Sequence, residues 1–360
     1  MTIKFLDLKK SHIQIKKGIK NRFENIFNNS KYILGNDVFE IEKKLSEYVK
    51  NKYAITCGNG TEALLMALMS IGVQAGDEVI TTPFTWISNV EMIKLLGAKP
   101  IFADVDSRTF NIDPIKIKKL ISKKTKCILV VNIFGQCADY DKINKIAKQY
   151  NLRIIEDAAQ SFGAVYKNKI SCNLADISCT SFFPSKPLGC YGDGGACFTN
   201  NKALKNKLLL LRNHGQTKKN IHQSIGINSR LDTLQAAVLL EKLVIFKNEI
   251  KLRKKVAENY NKLISYKNID IKIPYIEKFN QSVYAQYTIL VKNRKNIIKK
   301  LKKNSIPFSI FYPKPIYKQT PYKQDIKHKN VEKICSMTLS LPMHPYLKIN
   351  DQKKIVDCLE

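Results

Sequence analysis

Lys186 lies in the stretch "TSFFPSKPLGCYGDGGA", residues 180 to 196, behind Phe182, Phe183 and Pro184 and just ahead of a glycine-rich loop. Most lysines of the chain sit instead in polar runs such as "NIIKKLKKN". A lysine held in a partly apolar pocket loses ammonium solvation, so its pKa falls and its amine becomes nucleophilic. The adjoining "GDGG" lets backbone approach a ligand closely. The plainer alternative, a surface lysine in a turn, leaves the flanking aromatic residues unexplained.

Two further stretches carry chemistry. In "CGNGTEAL", residues 57 to 64, Gly58, Gly60 and Thr61 separate a strand pattern from a helix start. Free backbone N–H groups and the helix dipole would make that a phosphate site; the alternative is an ordinary turn with Thr61 as N-cap. In "IIEDAAQSFGA", residues 154 to 164, two acids end a very apolar strand. A carboxylate placed there pairs with a cation, ligates a metal or caps a helix. No histidine or further carboxylate cluster stands nearby in sequence, which disfavours a metal. A phosphate cradle, an acidic partner for a pyridinium nitrogen and a lysine that can trap an aldehyde as a Schiff base together point to pyridoxal 5'-phosphate.

These stretches need elements to hold them. "YAITC", "EVITT", "KPIFADV", "CILVVNIF" and "LRIIED" read as strands, and "GTEALLMALMSIG", "ISNVEMIKLLG", "DPIKIKKLI" and "DYDKINKIAKQY" as the helices between them. Asp113 is a plausible N-cap with Pro114 at the first helical position. Strands alternating with helices through residue 160 predict an α/β fold with a mostly parallel sheet and right-handed crossovers. Such sheets place their sites at the C-terminal ends of strands. After residue 232 the pattern changes to one long amphipathic stretch, "DTLQAAVLLEKLVIFKNEIKLRKKVAENYNKLI", that bridges to a smaller α+β domain containing "YAQYTILV", "IIKKLKKN" and "IPFSIFYP".

At 360 residues the chain is long for one core, and two domains are expected. No apolar run approaches the ~20 residues of a membrane span, and "MTIKFLDLKK" has no signal-peptide core. The nine cysteines include no C-x-x-C spacing, and Cys57, Cys127 and Cys197 lie in apolar runs. That predicts a reduced, cytoplasmic protein without a zinc site. Net charge is +31, from 61 Lys+Arg against 30 Asp+Glu. The lysines are scattered along the chain without any nucleic-acid-binding signature, so the expectation is no nucleic acid and a positive field suited to an anionic substrate.

"EDAAQ", "SFFPSK" with "GDGGA", and "NSRLDTLQAA" are hallmarks on which the chain resembles the DegT/DnrJ/EryC1/StrS sugar-nucleotide aminotransferases. The resemblance runs from "FLDLKK" to "LSLPMHPYL", nearly the whole chain. It implies the aspartate-aminotransferase-like fold (fold type I), with a large cofactor-binding domain over residues 1–245 and a small C-terminal domain over 246–360. "GQCADYD" and "SVYAQYT" look most like the branch that aminates C3 of UDP-2-acetamido-2-deoxy-3-keto-glucuronate for surface polysaccharide precursors.

The family's roles carry over residue by residue. Lys186 would bind the cofactor and shuttle the proton, Asp157 would pair with the pyridine nitrogen, and Gln160 would lie near the ring hydroxyl. Gly60, Thr61 and Ser181 would hold the phosphate, and Trp86, the only tryptophan, would stack on the ring; by itself it reads as a core residue. Asn228 would reach the phosphate of a neighbouring subunit, making a homodimer with shared sites. Arg230 either pairs with Asp232 or grips a substrate carboxylate. Many relatives have His-Tyr-Pro where this chain has Phe311-Tyr312-Pro313, which removes a donor near the sugar and leaves Tyr312 as a substrate contact. L-glutamate is the implied amino donor; a neutral keto sugar is the alternative acceptor. A dehydratase would carry histidine in place of Lys186, and a non-catalytic regulator would not need Lys186, Asp157 and Gln160 together.

Overall fold

The computed structural model describes residues 3–360. Two helices, α1 (Leu8–Asn29) and α2 (Asn36–Val49), precede an alternating run: β1 (Tyr53–Cys57), α3 (Gly60–Ser70), β2 (Glu78–Thr81), α4 (Ser88–Leu95), β3 (Lys99–Phe102), α5 (Pro114–Lys118), β4 (Thr125–Val131), α6 (Tyr140–Gln149) and β5 (Arg153–Asp157). A short ribbon, β6 (Val165–Tyr166) and β7 (Lys169–Ile170), leads to β8 (Ile177–Ser181) and β9 (Gly195–Thr199). Then come α7 (Lys202–Arg212), the hairpin β10 (Gln216–Lys218) and β11 (Ile221–His222), and the long α8 (Thr233–Tyr266). The chain closes with β12 (Asn280–Gln281), β13 (Tyr287–Leu290), α9 (Arg294–Lys303), α10 (Lys329–Met337), β14 (Thr338–Leu341) and α11 (Ile349–Asp357).

Local chemistry sets the helix starts. Asp113, Asp139, Asn201 and Asn293 each accept a backbone N–H from the first turn of the helix that follows, and Pro114 opens α5 as its sequence predicts. The "DPIKIKKLI" pattern yields only a short helix, ending at Lys118. "IPFSIFYP" forms no strand; Ser309 alone bridges to Ser340, because Pro307 and Pro313 interrupt any longer ladder.

One seven-stranded sheet, in the order β1-β9-β8-β5-β4-β2-β3, organises the large body. The pairs β2–β3, β2–β4, β4–β5 and β5–β8 are parallel, whereas β9 runs antiparallel to both of its neighbours, β1 and β8. Helices α3, α4 and α7 cover one face; α1, α2 and the first half of α8 pack against the β1 and β9 side of the other. With both faces covered, β4 needs no polar alternation, and Cys127 through Val131 are all buried. The second half of α8 belongs to a separate apolar cluster with β13, β14 and α11, through Val256, Tyr260, Tyr287, Leu339 and Ile355. A boundary at residue 245 therefore falls inside one continuous helix.

The sheet's floor is pinned by a buried acid. Glu156 accepts from Asn132 Nδ2 (2.9 Å), Ser171 Oγ (2.7 Å), Ser178 Oγ (2.6 Å) and the N–H groups of Cys172 (3.0 Å) and Leu174 (3.3 Å). Burial pushes its pKa up, and these donors oppose that shift. Glu156→Ala would leave Ser178 Oγ and the N–H groups of Cys172 and Leu174 without this acceptor, while Asn132 and Ser171 keep Ser161 as a partner, and each buried unmet group costs about 1–3 kcal/mol. Urea unfolding of the variant should show a loss of at least about 3 kcal/mol; a loss under about 1 kcal/mol would mean water substitutes freely for the carboxylate.

Candidate active site

Three strand ends and one strand start meet at one edge of the sheet. Ser181, the last residue of β8, pairs with Gly195, the first of β9, and Gly195 also pairs with Cys57, the last of β1. On the other side of β8, Cys179 pairs with Asp157, the last residue of β5. Because β9 is antiparallel, the connection from residue 182 to 194 leaves and re-enters the sheet at this same edge. Lys186 is carried on that connection, half-buried, with its N–H donating to the Phe183 carbonyl (2.9 Å).

The phosphate-type cradle lies at the start of α3. Asn59, not Thr61, is the N-cap: its Oδ1 accepts the Glu62 N–H (2.9 Å) and its carbonyl accepts the Ala63 N–H (3.0 Å). Among the described residues no protein acceptor takes the N–H groups of Gly60 and Thr61, so they remain as donors at the positive end of the helix. A Cβ on Gly60 would stand 2.6 Å from the Ser181 Cβ, and one on Gly195 would stand 2.8 Å from the Gly60 nitrogen. Both glycines are therefore required by close approach, and together they bring the Ser181 hydroxyl beside the helix start.

The acid side is built from four elements. Asp157 is buried; its Oδ1 accepts the Ala159 N–H (3.0 Å) and its Oδ2 accepts Asn89 Nδ2 (2.8 Å) from α4. Lys186 faces this carboxylate. Burial lowers the lysine's pKa and the Asp157 charge opposes the shift, so its amine is neutral at lower pH than an exposed lysine's. Gln160 is fixed at both ends, its Oε1 accepting the Phe134 N–H (2.7 Å) and its Nε2 donating to the Tyr312 hydroxyl (3.1 Å). Burial raises the Tyr312 pKa, so the phenol stays neutral and keeps its own proton to donate. Trp86 is 59% exposed, with its ring 6.5 Å from that of Tyr312. It is not a core residue.

The "NSRLD" residues divide. Ser229 is fully buried and its Oγ accepts the Gly58 N–H (3.2 Å), while Asn228 is exposed. Arg230 forms no ion pair with Asp232 among the described residues. Its Nη1 donates instead to Asn213 Oδ1 (3.0 Å), and its buried Nε has no partner. The guanidinium thus retains donors for a further acceptor. Phe311, at the expected histidine position, packs edge-on against Phe5 (6.5 Å).

Sequence reasoning missed Asn59, Asn89 and Ser229. Asn59 had a signal: Asn-x-x-Glu ahead of an apolar run is an N-terminal capping pattern. Asn89 and Ser229 had none, since their partners lie 68 and 171 residues away. Among the described residues no cluster of His, Cys, Asp or Glu is placed to hold a metal ion.

Arrangement and donor set fit a phosphorylated aldehyde cofactor: an unclaimed helix start walled by two glycines, an amine whose pKa burial lowers and a buried carboxylate. Gly60→Ala should therefore weaken phosphate-bearing ligands by 10-fold or more, roughly the loss of one charge-assisted hydrogen bond. Quenching of the single tryptophan reads this directly, and an unchanged dissociation constant would show that the loop relaxes around the methyl group.

Comparison with known proteins gives a consistent family. A family model described as the DegT/DnrJ/EryC1/StrS aminotransferase family matches residues 13–360. The chain is 50% identical over 347 residues, 96% of each protein, to the UDP-2-acetamido-2-deoxy-3-oxo-D-glucuronate aminotransferase of Pseudomonas aeruginosa. A DegT DnrJ EryC1 StrS aminotransferase crystal structure from Brucella abortus superimposes with TM-score 0.94 at 39% identity, covering 99% of this chain and 98% of that one. NtdA of Bacillus subtilis, a crystal structure with bound cofactor PMP, gives TM-score 0.93 at 29% identity, covering 99% and 84%. On the match across residues 13–360 and the relative that is half identical from end to end, the chain belongs to the DegT/DnrJ/EryC1/StrS aminotransferase family.

Proposed function

We propose that this enzyme uses pyridoxal 5'-phosphate to move an amino group from L-glutamate to C3 of UDP-2-acetamido-2-deoxy-3-keto-D-glucuronate, supplying an aminated precursor for surface polysaccharide. The observation that carries this reading is the half-buried Lys186 amine facing the buried Asp157 beside the Gly60–Ser181 cradle. The half-identical uronate aminotransferase supports the choice of sugar. When bound, the cofactor supplies an aldehyde carbon to carry the amine and a pyridine ring to take up the electrons of the broken bond.

This chain's residues supply the rest. Lys186 would hold the cofactor through its amine, whose pKa burial lowers, and would move the proton between the substrate carbon and the cofactor C4′. Asp157 keeps the ring nitrogen protonated. Gln160 would lie near the ring hydroxyl, Trp86 would stack on the ring, and Gly60, Thr61 and Ser181 would hold the phosphate. Glutamate leaves as 2-oxoglutarate before the keto sugar enters, a ping-pong order. Arg230 meets the carboxylate that glutamate and the uronate share, and Tyr312 donates its remaining proton to substrate.

Assembly belongs to the same reading. Asn228, exposed in the single chain, reaches the phosphate of a neighbouring subunit, so the working unit is a homodimer of two-domain chains, 1–245 and 246–360, with shared sites. All nine cysteines are free and buried, and no helix is long and apolar enough to cross a membrane among the described residues; both suit a protein kept in the reducing cytoplasm.

Lys186→Ala should abolish turnover, and retained turnover would overturn the lysine's role. In the apoenzyme, cofactor capture should accelerate with pH to a plateau whose midpoint lies below the ordinary lysine value of 10.5, because burial destabilises the ammonium; a midpoint at or above that value would contradict it. The sugar is tested by kcat/KM for the uronate against a 3-keto sugar neutral at C6. A charged hydrogen-bonded pair predicts about 10- to 150-fold preference, which Arg230→Lys should largely remove. Equal values would leave an aminotransferase for a neutral sugar. Mixing Asn228→Ala with Lys186→Ala subunits should regenerate some active sites, and a fully active monomer would exclude sharing.

A further inference from the structure

Asn89 stands out among the buried groups around the site. It is fully buried on α4 and uses both amide hydrogens, one to Thr85 Oγ1 (3.1 Å) and one to Asp157 Oδ2 (2.8 Å). Its Oδ1 is buried with no partner. Turning the amide over would let the Thr85 hydroxyl donate to Oδ1 but would lose the bond to Asp157 and set a carbonyl oxygen against a carboxylate oxygen. The side chain thus carries an unmet acceptor so that its N–H can reach Asp157. A buried polar group left unmet in this way calls for an explanation other than stability.

The rest of the Asp157 shell gives one. The backbone N–H of Ala159 holds Oδ1 and Asn89 holds Oδ2, so the carboxylate plane is fixed by one donor on each oxygen. With one donor fixed on each oxygen, the carboxylate presents a set acceptor direction to whatever cationic N–H it faces. We infer that Asn89 is a positioning residue: it holds the Asp157 carboxylate aimed, so that it meets the N–H of the cofactor's ring nitrogen in a fixed geometry. This rests on the reading of Asp157 as the partner of that nitrogen.

Titratable groups near Asp157 come from several elements: Lys186, Tyr312, Tyr140, Cys172 and Cys179. Burial raises the phenols and thiols, which stay neutral at working pH, and Lys186 is bound to the cofactor. Among the described residues no other donor reaches Oδ2.

The test uses Asn89→Leu, close to asparagine in shape but without donor or acceptor. The apoenzyme should still fold and melt cooperatively, since removal of the unmet Oδ1 partly offsets the loss of the donor to Asp157 Oδ2, whereas kcat should fall by about 10- to 100-fold. The absorbance titration of the Lys186-bound cofactor should move to higher pH, because a ring with less positive charge withdraws less from the Lys186 nitrogen. With a cofactor analogue carrying carbon in place of the ring nitrogen, wild type and variant should titrate alike. Should the leucine variant not fold, Asn89→Asp serves: at neutral pH it sets a second carboxylate against Asp157, and activity should recover as the pH falls and the shared proton restores a donor. Wild-type kcat with an unmoved titration, or a difference that persists with the analogue, overturns the positioning role. A wild-type protein that neither binds the cofactor nor turns over would instead overturn the proposed function.

Discussion

The antiparallel strand β9, inserted between β1 and β8, is the constraint on which the site depends. In a purely parallel sheet, the chain leaving β8 would have to cross a face and return at the far edge. Here it leaves β8 at Ser181 and enters β9 at Gly195, both on the edge where β1 and β5 also end. The intervening loop has nowhere to lie except over that edge, so Lys186 is delivered above the strand ends by topology before any side-chain contact is made. The same insertion explains the glycines. Gly195 is opposed by Cys57 and Ser181 in the ladder, and the first turn of α3 sits directly on it, so a side chain there would collide with Asn59 or Gly60.

Strand geometry then separates the two acids of "IIEDAA". Successive side chains of a strand point to opposite faces. Glu156 enters the floor of the sheet, where five protein donors consume it. Asp157 points the other way and takes two, from Ala159 and Asn89. One acid is structural because its hydrogen-bonding capacity is spent. The other remains chemical because capacity is left and a lysine faces it. Neither burial nor charge distinguishes them, as both are buried carboxylates.

Much of this was legible in the chain because it is local. A βα turn rich in glycine, an apolar strand ending in acids and a lysine between aromatics and glycines are each written in a dozen consecutive residues. The register of helices and strands through residue 157 follows from periodicity for the same reason. What escaped was relational. The sequence carries no trace of where β9 inserts, so the meeting of Gly60, Ser181 and Gly195 could only be supplied by resemblance. Asn89 reads as one of several polar residues in the short helix α4 until Asp157 is placed next to it. "DPIKIKKLI" forms its helix with Pro114 at the start but stops at Lys118, and "IPFSIFYP" keeps only the Ser309–Ser340 bridge between its two prolines.

The segment from 213 to 230 shows how one short stretch can serve two surfaces. Its base is locked: Asn213 bridges Asn228, and a Cβ on Gly215, at φ +65°, would overlap the Ser224 carbonyl oxygen. Its tip is the opposite, with Lys218, Lys219, Ile221 and Ile225 all exposed. Between these extremes the extended backbone sends Ser229 inward to the Gly58 N–H and leaves Asn228 facing outward. Ser229 thus ties this segment to the loop that precedes α3. Arg230 is tied back to the same base, since its anchor, Asn213, lies on the other leg. Three consecutive residues therefore face solvent, the Gly58 loop and Asn213 in turn, because successive side chains of an extended chain point in opposite directions.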